Sequence, residues 1–588
     1  MPSIFDIPVD ILLDNLLPII DIPDLLSLSS TNRFFAILGA DETFWRRRLQ
    51  DDFNFSGAGT ARTSAWKTIY KGMRKPNIYT WGQKANGRLG LTSFPDTTLS
   101  DVPYPVRIQI PGARIVSLVA GGTSFHALDS RGNVWAWGTM DGETHGLRSD
   151  GYGSPHAKLT TPHKLSLPLP TKSLSCGRFH AACLDSEGKI WNLVNWGRPY
   201  RLVCDYITAA KSKPVQIDCG WRFSSMLNKA GDVFIWFPFD ERPWRAVTEH
   251  EAANSAKILD INENEIPCAT WDLHQDTFKL PPLPDLPSLS ASAESEDTVN
   301  LVKIAGFDNC LIGLTNHGHV LLFDQLASET SAKAGQWTYL PRFSEPERLK
   351  EHPTFSNAGQ HSCEVSETMQ ITHISAHFRT FFAYSTGHNS VVIMGDADTN
   401  ASSTPNVIPE LQNKGVISVV LGDYHFGALT EDGKLLTWGQ YSQGALGLGD
   451  PASLEPGQPG GFSTDAHRQM ALSRRRGSPP EVTVPTAVRF DHQLKGKRDM
   501  FCFAATASGW HMGALVIDLE TNKEEDDDSE SENQHMPGHF DTPPAPPASS
   551  RDVPLPGGHP SFAGLGFRVG FAGRGMMRGG PSHRGFGQ

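Results

Sequence analysis

The stretch GDYHFGALTEDGKLLTWGQ, residues 422–440, decides the fold. Apolar residues alternate on both sides of TEDGK, whose glycine, Gly433, suits a tight turn that requires a positive φ. The pattern predicts a β-hairpin that starts near His425 and ends near Trp438. A single hairpin is only marginally stable in water, so copies of this unit must pack against one another.

The chain repeats this unit. The spacing of His425, Leu429, Gly433 and Trp438 recurs in five further stretches. The last two of these lack the Trp, and in the His180 stretch Leu193 takes its position and the Trp follows three residues later. In these stretches the position of His425 is taken by Ser124, His180, Phe223, Cys310 and Arg379.

Two half-units lie at the ends of the array: NIYTWGQKANGRLGL, residues 77–91, has only the second half, and ATASGWHMGALVIDL, residues 505–519, only the first. Joined, they complete a seventh unit. The sequence therefore predicts a mainly β protein with a seven-bladed propeller over residues 76–519, closed by pairing of 77–91 with 501–519.

The template residues are expected to be structural. The Gly positions suit turns, and the Trp and His positions suit a core between blades. These residues are Trp81, Gly132, Trp137, His180, Gly188, Gly231, Trp236, Gly318, Gly387, His425, Gly433, Trp438 and His511.

The repeat resembles that of the regulator-of-chromosome-condensation (RCC1) family, whose hallmark reads approximately GxxHxxAL followed by GxVxxWG. Gly422, His425, Leu429, Gly433 and Trp438 match it. The resemblance implies an RCC1-like propeller. It also implies one alternative function, a guanine-nucleotide exchange factor for a small GTPase or a chromatin-associated scaffold. The formal net charge of −12 disfavours binding to chromatin.

Residues 1–50 differ from the repeats. They predict short helices near 8–17, 22–29, 32–38 and 42–50, with Thr31 and Asp41 as N-caps. A segment this short buries little surface by itself, yet it is rich in Leu, Ile and Phe. Such an excess of apolar residues indicates docking on a partner.

This segment resembles an F-box. Ile7-Pro8 stands for the family's Leu-Pro pair, DLLSLSSTNRFF occupies the middle of the motif, and Trp45 closes it. The resemblance implies insertion into a Skp-type adaptor, which links the chain to a cullin-based ubiquitin ligase. It assigns adaptor binding to Ile7, Pro8, Ile11, Leu12, Leu16, Leu25, Leu28, Asn32, Phe35 and Trp45. Residues 51–75, with SAWKTIYKGM, resemble the helix that often follows an F-box and predict a stiff helical linker.

Three insertions interrupt the array, at 239–300, 325–370 and 451–485. They are candidates for contact with a target, and the alternative is that they are tolerated surface loops. PPLPDLPSLSASAESED in the first insertion is rich in Pro and Ser, which predicts mobility. Residues 520–588 are acidic, then Pro-rich, then rich in Arg and Gly, so we expect a disordered tail. Its end resembles Arg-Gly-Gly segments that bind RNA weakly, but it has few Arg residues (568, 574, 578 and 584). A solvated tail is therefore the favoured interpretation, and we do not expect nucleic acid as a main partner.

Nothing in the sequence indicates a catalytic residue, a metal site or a cofactor. The eight Cys residues form no CxxC pair, and Cys176 and His180 share a face of a predicted strand from which Cys183 points away. We see no secretory signal and no apolar run of membrane-spanning length, so we expect a cytoplasmic or nuclear protein. The favoured function is a non-catalytic substrate-recognition subunit of a Skp–cullin–F-box (SCF) ubiquitin ligase. Its F-box would bind the adaptor, and its propeller would bind the protein destined for degradation.

Overall fold

Seven β-sheets surround a central channel in the computed structural model. Their first strands contact one another in a closed circle, from blade 1 through blade 7 and back to blade 1. The structure describes residues 4–94, 99, 101–140, 159–204, 206, 212–254, 264–289, 298–356, 365–387, 389–474, 477–494 and 496–520. The predicted tail therefore lies outside the described residues from 521 onward. The predicted seven-bladed propeller is confirmed.

The strands of blades 1 to 3 run, from the channel outward, as follows. Blade 1 contains β3 (Ile115–Ala120), β4 (Ser124–Asp129), β5 (Val134–Gly138), β6 (Leu159–Ser166) and β14 (Glu265–Pro267). Blade 2 contains β7 (Thr171–Cys176), β8 (Ala181–Asp185), β9 (Ile190–Leu193), β10 (Tyr200–Val203) and β15 (Trp271–His274). Blade 3 contains β11 (Pro214–Cys219), β12 (Ser224–Asn228), β13 (Val233–Trp236) and β16 (Phe278–Lys279).

Blades 4 to 6 each have four described strands. Blade 4 contains β17 (Leu301–Phe307), β18 (Cys310–Thr315), β19 (Val320–Phe323) and β20 (Thr338–Tyr339). Blade 5 contains β21 (His373–His377), β22 (Thr380–Tyr384), β23 (Val392–Asp396) and β24 (Asn406–Val407). Blade 6 contains β25 (Val416–Leu421), β26 (His425–Thr430), β27 (Leu435–Gly439) and β28 (Val482–Ala487).

Blade 7 combines the two ends of the array. Its inner strands are β29 (Met500–Ser508) and β30 (His511–Asp518), and its outer strands are β1 (Asn77–Gln83) and β2 (Asp101–Ile108). β1 and β30 pair antiparallel, with Asn77 opposite Val516 and Gly82 opposite His511. Strands more than 400 residues apart in the sequence thus share one sheet and close the ring.

The N-terminal segment folds into helices that differ in detail from the prediction. They are α1 (Val9–Ile11), α2 (Ile22–Thr31), α3 (Arg33–Leu38), α4 (Glu42–Phe53) and α5 (Trp66–Gly72). The helix expected over 8–17 is instead α1, a π-helical turn over Leu12–Leu16 and a 3-10 turn over Leu17–Ile19. The expected helical linker 51–75 contains only the end of α4, irregular chain and the short α5.

The first insertion contributes strands, which corrects its interpretation as an interruption. β14 and β15 add in parallel to β6 and β10, and β16 pairs with β13. The first helix of the insertion, α6 (Glu241–Asn254), lies against blade 2, where Val247 packs in one cluster with Leu273 of β15. The expected mobile stretch is also held in part, because Pro287 O contacts His319 Nε2 at 2.7 Å.

The other two insertions likewise include outer strands. The second contains α7 (Glu329–Ala334), β20, α8 (Pro346–Lys350) and α9 (Pro353–Ser356). The third contains α10 (Asp465–Arg474) and the start of β28. Further 3-10 turns lie at Ile4–Asp6, Ala85–Gly87, Pro341–Phe343, Pro409–Leu411 and Ser442–Gly444. No helix in the described part of the chain combines the length and the apolar composition needed to cross a bilayer.

The turns between the second and third strands follow one design. The six predicted turn glycines of blades 1 to 6 have φ between +81° and +94°. In several blades, the residue three positions before this glycine has a polar side chain. That side chain accepts the backbone N–H of the residue that directly follows the glycine. Asp129 and Asp185 Oδ1 accept from the N–H of Asn133 and Lys189 at 2.9 Å in both cases. This Asx-type contact, which the sequence analysis missed, satisfies a backbone donor at the turn.

Candidate functional site

The N-terminal helices expose large apolar side chains. Ile11 is 50% exposed, Ile37 63% and Ile19 77%. Together with Ile4, Phe5, Ile7, Val9 and Leu26 they form what we call the N-terminal apolar surface. Large apolar side chains concentrated in one small module indicate a surface for another protein.

The structure divides the ten predicted adaptor-binding residues. Ile7, Pro8, Ile11 and Asn32 are exposed, Leu16 and Leu28 are half-buried, and Leu12, Leu25, Phe35 and Trp45 are buried. The buried four form the core of the module, where the indole of Trp45 donates to Gly39 O at 2.9 Å. Other exposed residues, such as Ile19 and Ile37, were missed because the motif does not include them, although their exposure on short apolar helices was a usable signal.

Two N-caps fix the order of the helices. Asp41 caps α4 as predicted, because its Oδ1 accepts the N–H of Phe44 at 2.8 Å. The cap of α3 is Asn32, which accepts the N–H of Phe35 at 3.0 Å, so the prediction of Thr31 is wrong by one residue. Thr31 ends α2 instead, and its hydroxyl donates to a carbonyl within that helix.

A packed joint connects this module to the propeller. The carboxylate of Glu42 in α4 accepts the N–H groups of Ala65 and Trp66 at 3.2 and 2.8 Å, which caps α5. At the other end of α5, a Cβ on Gly72 would lie only 2.4 Å from Ile517 of β30. The expected spacer helix is therefore a short element clamped between the two domains.

The module lies at one end of the channel. Its contacts reach the starts of first strands and the turns after second strands: Ala61 N–H donates to Ile417 O at 2.7 Å, and Arg62 Nη1 to Glu431 O at 2.8 Å. We call this side the proximal face. The opposite side, the distal face, is formed by the turns between first and second strands at 121–123, 177–180, 220–223, 308–309, 378–379, 422–424 and 509–510.

Side chains of the distal turns meet across the channel. Arg178 of blade 2 contacts both carboxylate oxygens of Asp423 of blade 6 at 3.1 and 3.2 Å, although these blades are not neighbours. The guanidinium of Arg178 also lies 5.0 Å from the ring of Trp221 in blade 3. That indole ring is 5.6 Å from Phe378 of blade 5. These side chains thus connect blades 2, 3, 5 and 6 at the distal end of the channel.

His377 and the ion pair with Arg178 together keep Asp423 ionised. Burial opposes ionisation of Asp423, but His377 and Arg178 outweigh it and hold its pKa at about 2. Around this ionic centre, Tyr424 is 45% exposed and Trp510 40% exposed. Tyr and Trp are enriched at protein-binding surfaces relative to the rest of a protein's surface.

These distal residues were missed by the sequence analysis, although the signal was present. In the template GxxH they are the two variable positions before the His, for example Arg178-Phe179 and Asp423-Tyr424. These positions differ from unit to unit, while the template residues recur.

The template histidines join neighbouring blades. His180 Nε2 contacts the hydroxyl of Ser224 in the next blade at 2.6 Å, and His511 Nε2 lies 3.3 Å from Ser124 O. Burial lowers the pKa of His180 to about 3 and that of His425 to about 4, so these rings are neutral at pH 7. All three rings are at most 2% exposed, which fits a structural role.

The template tryptophans also lie between blades. Trp81 donates to Ala445 O at 2.8 Å, and Trp236 donates to Asn192 Oδ1 at 3.0 Å. Trp137 and Trp438 are likewise buried.

Cys176, His180 and Cys183 do not converge. Cys176 Sγ contacts His126 Nδ1 of blade 1 at 3.1 Å, and it ends β7, so it does not share a strand with His180 as the sequence suggested. Cys183 is buried within β8. Among the described residues, no three His, Cys, Asp or Glu side chains are placed to hold a metal ion.

Comparison with known proteins identifies the repeat. The Regulator of chromosome condensation (RCC1) repeat family matches residues 77–128 and 416–444. SCF-associated factor 1 of Saccharomyces cerevisiae is 30% identical over 355 residues, which cover 59% of this chain and 42% of that protein. F-box protein pof9 of Schizosaccharomyces pombe is 29% identical over 152 residues, 25% of this chain and 28% of that protein. The chain thus contains RCC1 repeats and is similar to F-box proteins, while spanning less than half of the length of these relatives.

A mouse relative and a solved structure were also found. E3 ubiquitin-protein ligase HERC2 of Mus musculus is 30% identical over 190 residues, 29% of this chain and 4% of that protein. Prp20p from Saccharomyces cerevisiae, described with its binding to Gsp1p and histones, has a TM-score of 0.46 and 17% identity, covering 80% of this chain and 99% of that one.

Proposed function

We propose that the chain is the substrate-recognition subunit of an SCF-type ubiquitin ligase. The observation that carries the proposal is the N-terminal apolar surface, which stays exposed on a module whose core is filled and whose other side is anchored to the propeller. This surface would bind a Skp-type adaptor and, through it, a cullin. The similarity to SCF-associated factor 1 supports this assignment.

In this proposal the distal face binds the protein to be ubiquitinated. Tyr424 and Trp510 are exposed there, while the ion pair of Arg178 and Asp423 holds the surrounding turns in place. The adaptor and the target would therefore occupy opposite ends of one rigid propeller. The chain itself would break no bond, and it would act by raising the effective concentration of the target near the conjugating enzyme.

The experiment that tests adaptor binding is a pull-down of a Skp-type adaptor with the full chain. The double variant Ile7→Asp, Ile11→Asp places charges on exposed positions of the N-terminal apolar surface, so we expect recovery to fall at least tenfold. The matched control is Leu472→Asp on α10, where an equally exposed side chain (54%) lies in the third insertion. Equal recovery of both variants would contradict the proposal.

Target binding is tested separately by proximity labelling in cells with a blocked proteasome. Proteins labelled by the wild-type chain and lost with Tyr424→Ala, Trp510→Ala are the expected targets. If adaptor binding fails and the chain instead accelerates nucleotide release from a small GTPase, the exchange-factor alternative replaces the proposal.

A further inference from the structure

An extra residue lies near the start of the first strand in six of the seven blades. The pairing of the first strand with the second strand shifts there by one residue, which is a β-bulge. We call the residues that the pairing skips the bulge residues. In blades 1, 2, 3, 4, 6 and 7 they are, in this order, Val116, Lys172, Val215, Val302, Ile417 and Phe503. All six lie on the proximal face, where the first strands begin.

Three of the bulge residues are buried beside the N-terminal module. Val116, Ile417 and Phe503 are at most 3% exposed, and they belong to one apolar cluster that includes Phe55 and Ala61. The N–H of Ala61 donates to Ile417 O at 2.7 Å, and the ring of Phe55 lies 5.8 Å from that of Phe503. An apolar bulge residue is thus buried where the module contacts the propeller.

The bulge residues of blades 3 and 4 are also apolar, but they are exposed. Val215 is 49% exposed and Val302 47%, and Val299, which precedes the first strand of blade 4, is 37% exposed. The first strands of the two blades are joined, because the amide of Gln216 donates to Ile304 O at 2.6 Å and accepts the N–H of Ile304 at 3.1 Å. We call the three valines the valine patch. Adjoining exposed apolar side chains, unlike scattered ones, indicate a contact surface.

The valine patch continues the surface that the module occupies. The side-chain amide of Asn54 donates to Thr171 O at 3.1 Å, so the module reaches the start of blade 2. The next residue, Lys172, is the exposed bulge residue of that blade. A Cβ on Gly188, in a turn of blade 2, would lie 3.5 Å from the side chain of Lys213 at the start of blade 3. One step around the ring therefore leads from the edge of the module to the patch.

Four lysines on the proximal face of blades 2 to 4 form no ion pair with any acid in the described part of the chain. They are Lys172, Lys213, Lys229 and Lys303. The acids of the neighbouring turns, Glu187 and Asp232, pair with other lysines at 2.6 and 2.8 Å. The valine patch thus lies in a positively charged surface, which matches a partner that presents acidic and apolar side chains.

We propose that the valine patch is a second contact for the adaptor that binds the N-terminal apolar surface, through acidic and apolar side chains of that adaptor. The inference rests on the proposed function. The patch lies on the face that carries the module, whereas the target is assigned to the distal face, so the adaptor is the partner that can reach it. An adaptor that contacts both the module and the propeller fixes the direction in which the distal face presents the target.

The first test measures the affinity of a Skp-type adaptor for the full chain by isothermal titration. The double variant Val215→Asp, Val302→Asp puts negative charge in the patch, so we expect binding at least fivefold weaker than in the wild type. The matched control is Val484→Asp in β28 of blade 6, because that valine is equally exposed (51%) and lies outside the patch. Its affinity should equal that of the wild type.

A charge-reversal variant tests the role of the lysines. Lys213 and Lys229 are both exposed, so Lys213→Glu, Lys229→Glu should fold normally. We expect it to bind the adaptor at least threefold more weakly, with less sensitivity to added potassium chloride than the wild type shows.

The second test determines what covers the patch, by carbene footprinting of the full chain and of a chain ending at residue 520. We expect Val215 and Val302 to be labelled in both free chains and protected in the adaptor complex. Protection in the free full chain that disappears in the shorter chain would assign the patch to the chain's own acidic segment after residue 520. Protection that increases with chain concentration would assign it to a second copy. Either result would overturn the proposal.

Wild-type affinity in Val215→Asp, Val302→Asp would overturn this inference and leave the proposed function intact. A wild-type chain that does not bind the adaptor would overturn both. Melting temperatures establish that each variant is folded. If the valine variant does not fold, the lysine variant decides the test, and its wild-type affinity would contradict the proposal.

Discussion

The turn glycines share one backbone conformation but differ in what surrounds them. Gly188 and Gly433 have φ of +85° and +81°, so alanine at either position is strained by a similar amount. A Cβ at Gly188 meets only the flexible chain of Lys213, at 3.5 Å, whereas a Cβ at Gly433 lies 2.4 Å from the ring of Phe501. Alanine substitutions at the two positions therefore separate the cost of backbone strain from the cost of crowding by a neighbouring side chain.

We expect Gly188→Ala to destabilise the protein by about 1–2 kcal/mol, the cost of a left-handed conformation for an L-residue. Gly433→Ala should cost about 1–3 kcal/mol more, because Phe501 must move within a packed core. Urea denaturation of both variants measures the difference. Equal urea midpoints for the two variants would show that the ring of Phe501 moves away from the added Cβ without a cost in stability.

At the residue scale, the template positions were predictable and the contacts between distal side chains of different blades were not. Gly433 and His425 follow from local spacing, since a hairpin is encoded within about twenty residues. The contact of Arg178 with Asp423 joins blades 2 and 6 and is set by closure of the whole ring. The F-box resemblance likewise named Ile7 and Ile11, but burial alone distinguishes them from the core residue Trp45.

Among the elements, α5 depends most on a single side chain. It has seven residues, too few to be stable alone, and its first N–H groups are held by Glu42 of α4. We expect Glu42→Ala to cost about 1 kcal/mol locally and to speed hydrogen exchange of the α5 amides. Hydrogen exchange monitored by mass spectrometry provides the measurement.

Glu42→Gln is the matched control, because its amide keeps one oxygen acceptor and should give an intermediate exchange rate. Unchanged protection of α5 in Glu42→Ala would show that packing of Ile69 and Gly72 alone holds the joint.

The outermost strands of blades 1 to 3 are elements that the sequence did not predict. β14, β15 and β16 have two to four residues, and their partners lie about 40 to 100 residues away in the chain. Strands this short carry no usable alternation of apolar and polar residues, and parallel addition to β6 requires no turn signal. The sequence therefore indicated insertions where the structure has the rims of three blades.

For the whole molecule, buried neutral histidines predict sensitivity to acid. Burial lowers the pKa of His180 to about 3 and of His425 to about 4, below the ordinary value near 6.5. Above pH 6.5 both states are neutral and stability is complete. As the pH falls from 6.5 toward 4, the unfolded chain takes up protons that the folded chain does not, so stability falls by up to about 1.4 kcal/mol per pH unit for each ring.

Asp218 acts in the opposite direction, since its raised pKa stabilises the fold below about pH 7, and burial also raises the pKa of Asp101, Asp240 and Asp308. Eight described histidines have a lowered pKa, so the histidines outnumber these acids. The melting temperature should therefore fall between pH 7 and pH 5. His180→Gln should reduce this pH dependence, and His274→Gln, which changes an exposed ring, should not. A melting temperature independent of pH over this range would contradict the prediction.

The ring closes by pairing β1 with β30, and this predicts how the chain tolerates truncation. Without residues 500–588, β1 and β2 lose the two inner strands of blade 7, and the first strands of blades 6 and 1 lose their common neighbour, β29. Because β30 is almost wholly buried, its removal exposes apolar surface on both sides of the gap. We expect this truncation to abolish cooperative unfolding and to cause aggregation.

A chain ending at residue 520 keeps all four strands of blade 7, so its melting temperature should match that of the full chain. Scanning calorimetry of the two truncated chains is the measurement. A cooperative transition in the chain without residues 500–588 would show that six blades are stable without closure of the ring.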